Sequence, residues 1–224
     1  MSQNEKYKGL FEKLSVRESG LNMSDGGILA DAKSILLLRA RVEEFGFADI
    51  YNALTGRIFA GLFAEASMRS HTALPAEGSE ANPYRSSIAE LGDFARSFLN
   101  SASVAGLLQS VFGQSLKLSE QASCYTYYGP GSFIGRHRDR PDACAATLIV
   151  YLEAISPKPQ SPNSGLVLRV FEESSSHEAE PRLTILTRSG TLVAGRGSQF
   201  WHERPTLQPG ERVVALTACF RKAD

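Results

Sequence analysis

Between Ile134 and Pro141 the chain reads IGRHRDRP. His137 and Asp139 stand two residues apart, and in a β-strand residues i and i+2 project from the same face, roughly 6.5–7 Å apart. An imidazole nitrogen and a carboxylate oxygen aimed at one point are good ligands for a divalent, iron-like metal. The chain has four histidines. His71 sits in the polar stretch SHTALPAEGSEANPYRSS and His177 in the charged run ESSSHEAE. His202 sits in SQFWHERP, among bulky apolar residues. His202 therefore completes the best set, two histidines and one carboxylate, which leaves coordination positions open on one face of a metal. Alone, His-x-Asp is a weak signal, since a strand histidine beside an aspartate can equally be a surface pair.

Ten residues after His202 stands Arg212, at the start of the apolar run RVVALTACF. Facing inward, it would need an anion as partner, because a buried unpaired charge is very costly. A carboxylate fits its planar fork. Facing outward at the strand end, it would pair with Glu211 or Glu203. Periodicity does not choose between the two.

These residues need elements to hold them. From Ser115 onward come short runs rich in Val, Leu, Thr, Tyr and Phe, punctuated by Gly and Pro: SLKLSE, SCYTYY, SFIGRHRD, ATLIVYLE, GLVLRVFE, RLTILTR, GTLVAG, QFWHE and RVVALTACF. Closely spaced short strands point to a β-sandwich or barrel. The first half reads as helices. DGGILADAKSILLLRARVEEFG offers Asp25 as a cap and Gly46 as a stop. FADIYNALTGRIFAGLFAEASMR spaces Ile50, Leu54, Ile58, Leu62 and Met68 helically. SSIAELGDFARSFLNSASVAGLLQSVFG is a third helical stretch, broken near Asn100. The stretch from 70 to 85 and the Pro/Ser-rich stretch from 154 to 164 read as loops and lid candidates. The expectation is one domain over residues 1–224, α+β but mainly β: 1–113 a mainly helical support layer, 114–224 a β-barrel-like core.

Composition narrows the class. The chain has 224 residues, with 24 Lys plus Arg against 24 Asp plus Glu, so no basic excess favours nucleic acid. No signal-peptide core or membrane-length apolar run is present. Cys124, Cys144 and Cys219 are few and scattered, so no disulfide framework is expected and a cytoplasmic setting fits.

Taken together, YYGPGSFIGRHRDRP, ATLIVYLE and FWHERPTLQPGERVVALTACFR resemble the Fe(II)/2-oxoglutarate-dependent dioxygenases, in their prolyl-4-hydroxylase-like branch, over roughly the last 110 residues. The resemblance implies a double-stranded β-helix (a cupin-like jelly roll) with helices packed on one side. It implies Fe(II) held by His137, Asp139 and His202, and the distal carboxylate of 2-oxoglutarate held by Arg212. Thr147 would contribute a hydroxyl beside the cosubstrate, and Tyr128 a phenol, unless a one-residue shift makes it Tyr127. It also implies dioxygen as cosubstrate, with ascorbate as a supporting reductant. One departure stands out: where many hydroxylases of the branch carry a Gly-Gly-Glu-Thr-like stretch, this chain reads NSGLVLRVF, with Gly165 but no acid.

The activity implied is hydroxylation of an unactivated C–H bond of a small molecule, such as an amino acid or biosynthetic intermediate. The alternatives are a peptidyl (prolyl-type) hydroxylase, or desaturation or cyclisation of a small molecule. Asp139 favours hydroxylation, since related halogenases carry Gly or Ala there. The paired arginines of nucleic-acid demethylases are not matched, because Arg221 lies nine residues after Arg212 rather than six. Tyr125, Arg136, Arg138, Arg169 and Trp201 lie near the proposed metal in sequence, with Arg136 and Arg138 alternating away from the ligands. Partners are expected to be a small substrate, with no nucleic acid and no membrane.

Overall fold

The structure is a computed structural model that describes residues 22–24, 27–29, 32–80, 82–158, 163–172 and 180–223. Asp25, His177 and the centre of the 154–164 stretch lie outside the described residues.

After a short hairpin of β1 (Asn22–Ser24) and β2 (Gly27–Leu29), helix α1 (Ala32–Phe45) ends at Gly46. Gly46 has φ +81°, a left-handed C-terminal position that favours glycine. The next segment departs from the helical expectation. Phe47–Tyr51 is a strand, β3, and the helix α2 begins only at Gly56 and runs to Arg69, capped by Thr55. The apolar spacing of this region fits a helix, but the backbone reversals at Gly46 and at Asn52 (φ 55°) isolate five residues that pair along the edge of β11 (Thr191–Gly195).

The polar stretch after α2 is not an open loop either. β4 (Leu74–Glu77) and β5 (Tyr84–Glu90) form an antiparallel hairpin that joins the main sheet, so Ser86–Glu90 is strand where a helix was expected. The third helical stretch is broken as the sequence indicates: α3 (Asp93–Leu99), a turn at Asn100, then α4 (Ala102–Phe112).

The remaining strands are β6 (Leu116–Tyr128), β7 (Phe133–His137), β8 (Ala146–Ile155), β9 (Val167–Phe171), β10 (Leu183–Leu186), β12 (Trp201–Arg204) and β13 (Arg212–Lys222). Every described pairing is antiparallel, in the order β10-β9-β12-β7-β5-β6-β13-β8-β11-β3, with β4 on β5. The two ends of this path, β10 and β3, meet again, so the sheet curls into a nearly closed jelly roll.

The chain packs two cores. One lies between the helices and the outer face of the long wall, with Leu62, Leu107, Leu108, Leu148, Val150 and Leu216 among its members. The other fills the roll and comes from strands and their connections alone: Phe47, Ile149, Tyr151, Leu168, Val170, Val193, Val213 and Ala215. The long wall is thus buried on both faces, which is why its strands read as continuous apolar runs rather than alternating ones. No helix among the described residues is long and apolar enough to cross a membrane.

Candidate active site

His137 ends β7, and its direct cross-strand partner on β12 is His202. Their ring centroids lie 4.2 Å apart. Asp139 follows β7, and its Oδ1 sits 3.6 Å from His137 Nε2 and 3.7 Å from His202 Nε2. The three ligand atoms all lie within 4.8 Å of one another. Each ring's Nδ1 sits against the carbonyl two residues before it, Gly135 at 2.8 Å for His137 and Phe200 at 3.1 Å for His202. With Nδ1–H donating to those carbonyls, both Nε2 lone pairs face the shared point, the usual arrangement of metal-binding histidines.

The electrostatics match. Burial, reinforced by the charge of His137, pushes His202 down to about 4, so its imidazole is neutral. Burial also works against charging His137, but the hydrogen bond and charge of Asp139 outweigh it and raise that ring. For Asp139 burial acts upward, yet the His137 hydrogen bond, the nearby His202 and the Thr147 hydroxyl bring it down to about 2. An ionised carboxylate and two imidazoles converging on one point fit a divalent iron-like ion.

Asp139 is fixed from the opposite wall. Thr147 Oγ1, on β8, donates to Asp139 Oδ2 at 2.6 Å, which leaves Oδ1 toward the histidines. Gly197 supports it from below: its carbonyl accepts Asp139 N–H at 3.0 Å, and a Cβ there would stand 1.9 Å from Asp139 Oδ2 and 2.5 Å from Thr147 Oγ1. Only glycine allows that approach. Gly197 lies in the turn before β12, and its position gave no chemical signal in the sequence.

Two sequence expectations are corrected here. Cys144 and Cys219, 75 residues apart, form a disulfide where no disulfide framework was expected. Cys219 is directly opposite Thr147 on β13, and the Cys144 sulfur lies 3.3 Å from Thr147 Oγ1, so the bridge abuts the Asp139 support. Arg212 does not face inward. Its side chain is 58% exposed and paired with Glu153, at 2.5 Å from Nε to Oε1 and 2.7 Å from Nη2 to Oε2. It stands opposite Ile155, at the far end of β8 from Thr147. The outward alternative holds, with Glu153 as partner instead of Glu211 or Glu203. Strand alternation decides it: Val213 and Ala215 take the inner face.

The ambiguity at the tyrosines also resolves. Tyr127 faces the helices and donates to the Ala66 carbonyl at 2.6 Å, whereas Tyr128 packs with the inner core. Tyr125 is turned away from the metal, fully buried and donating to Glu65 Oε1. Arg136 and Arg138 lie on the face opposite His137, Arg136 against Glu203 and the Phe171 ring and Arg138 over Trp201. Arg169 also pairs with Glu203. His71 is exposed in a short helical turn after α2.

Sequence reading passed over one buried cation. Arg204, two residues after His202 on β12, is only 3% exposed. Its Nη1 donates to the Gly165 carbonyl at 3.1 Å and to Thr187 Oγ1 at 3.0 Å, and its Nη2 to Tyr151 Oη at 2.8 Å. The rings of Tyr128 and Tyr151 each lie 5.2 Å from its guanidinium carbon. The i, i+2 rule that joins His137 to Asp139 would have placed Arg204 on the face of His202.

No protein-family model matches the chain, and no curated protein matches it in sequence. Solved structures do. The chain is similar to a prolyl-4-hydroxylase of Pseudomonas putida (TM-score 0.61, 19% identity, 85% of this chain and 100% of that one). It is also similar to a 2OG-Fe(II) oxygenase family oxidoreductase of Burkholderia pseudomallei (0.65, 16%, 91% and 96%). A third match is SnoN, a non-heme α-ketoglutarate-dependent epimerase from nogalamycin biosynthesis (0.68, 17%, 86% and 82%). The chain therefore has the fold of the 2-oxoglutarate–Fe(II) oxygenases.

Proposed function

We propose that the protein is an Fe(II)- and 2-oxoglutarate-dependent oxygenase that hydroxylates a C–H bond of a small molecule. The observation that carries this reading is the convergence of His137 Nε2, His202 Nε2 and Asp139 Oδ1 within the roll. Bound there, Fe(II) would supply the electron-transfer chemistry by which dioxygen oxidises cosubstrate and substrate together. The balanced reaction is R–H plus 2-oxoglutarate plus dioxygen giving R–OH, succinate and carbon dioxide.

The chain's own residues set the stage for it. Three protein ligands leave one face of the metal for the cosubstrate and dioxygen. Thr147 fixes which carboxylate oxygen of Asp139 faces the metal. Phe47, whose ring lies 5.0 Å from that of His202, and Ile149, Val170 and Val193 line an apolar interior that limits water. Tyr128, packed against the same interior, would lie beside the cosubstrate.

The test is direct. Protein loaded anaerobically with Fe(II) should give the visible charge-transfer absorption of a chelated 2-oxo acid when 2-oxoglutarate is added. With dioxygen and candidate amino acids or biosynthetic intermediates, succinate release should be stimulated by the true substrate. Absence of any chelation band would remove the reading.

A further inference from the structure

From the groups gathered around the Cys144–Cys219 bridge we infer a second metal site, open only when the bridge is reduced, in which the two thiolates and Asp139 Oδ2 bind a soft divalent ion of the zinc type. It lies back to back with the histidine site and shares Asp139 with it. The inference goes beyond the oxygenase reading, which uses the Oδ1 edge of that carboxylate.

The ligand atoms are already assembled. Asp139 Oδ2 and the sulfurs of Cys144 and Cys219 all lie within 4.8 Å of one another. Cys144 precedes β8, and Cys219 on β13 stands directly opposite Thr147, so two hydrogen-bonded strands hold the sulfurs together. Cys144 Sγ lies 3.5 Å from Asp139 Oδ2 and 3.3 Å from Thr147 Oγ1. In the disulfide neither sulfur carries a hydrogen. The Oδ2 edge then faces a sulfur that donates nothing to it, with the Thr147 hydroxyl as its side-chain donor. The close backbone of Gly197 keeps that edge in place. A metal ion between the sulfurs and Oδ2 would answer the carboxylate's charge where the disulfide does not.

The spacing suits such an ion. With Zn–S near 2.3 Å and Zn–O near 2.0–2.2 Å, a tetrahedral ion sets its sulfur and oxygen ligands about 3.5–3.7 Å apart and its two sulfurs about 3.8 Å apart. The sulfur–oxygen separation is already 3.5 Å. The sulfurs reach theirs once the covalent bond is broken. Two thiolates and one carboxylate, with the Thr147 hydroxyl or water as the fourth ligand, favour zinc, whereas two imidazoles and a carboxylate suit iron. Both cysteines are buried, so bulk water competes little for the ion.

The chemistry balances with a dithiol as reductant. It supplies two electrons and two protons, the S–S bond breaks, two thiols form, and the dithiol leaves as its own disulfide. The metal then displaces both thiol protons to solvent. Thr147 would yield its acceptor to the new ion, and iron would share its one anionic protein ligand with a second cation. The pair is thus placed to couple thiol redox state to iron binding.

The experiment uses Co(II) as probe on the full chain. The protein is reduced anaerobically with a phosphine, which cleaves the disulfide and takes oxygen from water to become its oxide, and the reductant is removed. Thiols counted in denaturant should rise from one, Cys124, to all three. Co(II) should then give the intense sulfur-to-cobalt charge-transfer absorption and strong visible bands of a tetrahedral thiolate site, and Zn(II) should bleach them. Oxidised protein should show neither, since its histidine site offers only nitrogen and oxygen. Cys144→Ser and Cys219→Ser should each lose the signal, and Cys124→Ser should keep it. Asp139→Asn should weaken Co(II) at this site about tenfold or more, no less than the loss of a ligand's support. A bridge that the phosphine leaves intact in the folded protein, or a reduced protein without the sulfur-to-cobalt band, overturns the inference and leaves a plain structural disulfide. Full Co(II) affinity in Asp139→Asn overturns the shared ligand. Should the variants not fold, the comparison of oxidised with reduced wild type decides alone. None of these results touches the oxygenase reading, which is tested at the histidines and by 2-oxoglutarate chelation.

Discussion

Thr147 and Asp139 join the two walls of the roll: the β8 hydroxyl donates to Asp139 Oδ2 at 2.6 Å and leaves Oδ1 to face both histidines. A hydrogen bond that orients a metal ligand contributes about 10–100-fold in metal affinity. Thr147→Val should therefore weaken Fe(II) binding by that order in a chelator-competition titration, with the circular dichroism spectrum unchanged. Thr147→Ser should recover most of the loss. Equal affinity in the Val variant would separate Thr147 from the metal site.

Gly197 makes a sharper demand. A methyl group there would overlap the Asp139 carboxylate, so Gly197→Ala must push Asp139 or the turn aside. We expect Fe(II) affinity to fall at least tenfold, an effect of the size seen when ligand supports are lost. Stability should change far less than affinity. A variant that binds Fe(II) as wild type would show that the turn yields without moving the ligand.

The ligands themselves divide the histidines. His137→Ala or His202→Ala should abolish stoichiometric Fe(II) binding and succinate formation while the protein remains folded. His71→Ala, at an exposed site after α2, should change neither. Retention of full iron content in either ligand variant would refute the triad.

How far these features could be read from sequence depends on the distance over which each is decided. That His137 and Asp139 meet was legible because a two-residue spacing is a local property, although Asp139 lies just past the end of β7 rather than on it, and His202 stood out because its neighbours are bulky and apolar. Arg212 was not, because the long wall is buried on both faces: Val213, Val214, Ala215 and Leu216 carry no polar alternation to say which side is in. Phe47–Tyr51 looked helical because its apolar spacing continues into α2, and only the edge of β11 makes it a strand. The Cys144–Cys219 bridge follows from β13 lying against β8, a pairing that no local pattern reveals.

Glu65 shows the same dependence in the helical layer. Gly92, at the start of α3, has no side chain to cap it, and Glu65 of α2, 29 residues before Phe94, does so instead. Its carboxylate accepts from Phe94 N–H at 2.8 Å and Ala95 N–H at 2.9 Å, and from the Tyr125 hydroxyl at 2.7 Å. Removing it orphans three donors, two of them buried and one partly buried. Glu65→Ala should cost about 2–4 kcal/mol in urea unfolding. Tyr125→Phe should cost less, since it removes one donor together with its own need for an acceptor. A loss below 0.5 kcal/mol for Glu65→Ala, within the range of ordinary surface substitutions, would contradict the cap (about ±0.5 kcal/mol for those).

The reaction outcome turns on Asp139. In the oxygenase proposed above, a carboxylate at this position would fill the place that a halide would otherwise take, so oxygen rather than chlorine should be transferred to the substrate carbon. With labelled dioxygen, the product should carry one labelled oxygen, one succinate should form per product, and chloride should not enter the product. Asp139→Gly should abolish hydroxylation. Added chloride should not restore efficient turnover, because Thr147 and Gly197 shape the pocket around a carboxylate rather than an ion. A product two hydrogens lighter than substrate and free of label would instead establish desaturation or ring closure. That outcome would redirect attention to how the substrate is held in the roll, since the same three ligands can serve either fate of the substrate carbon.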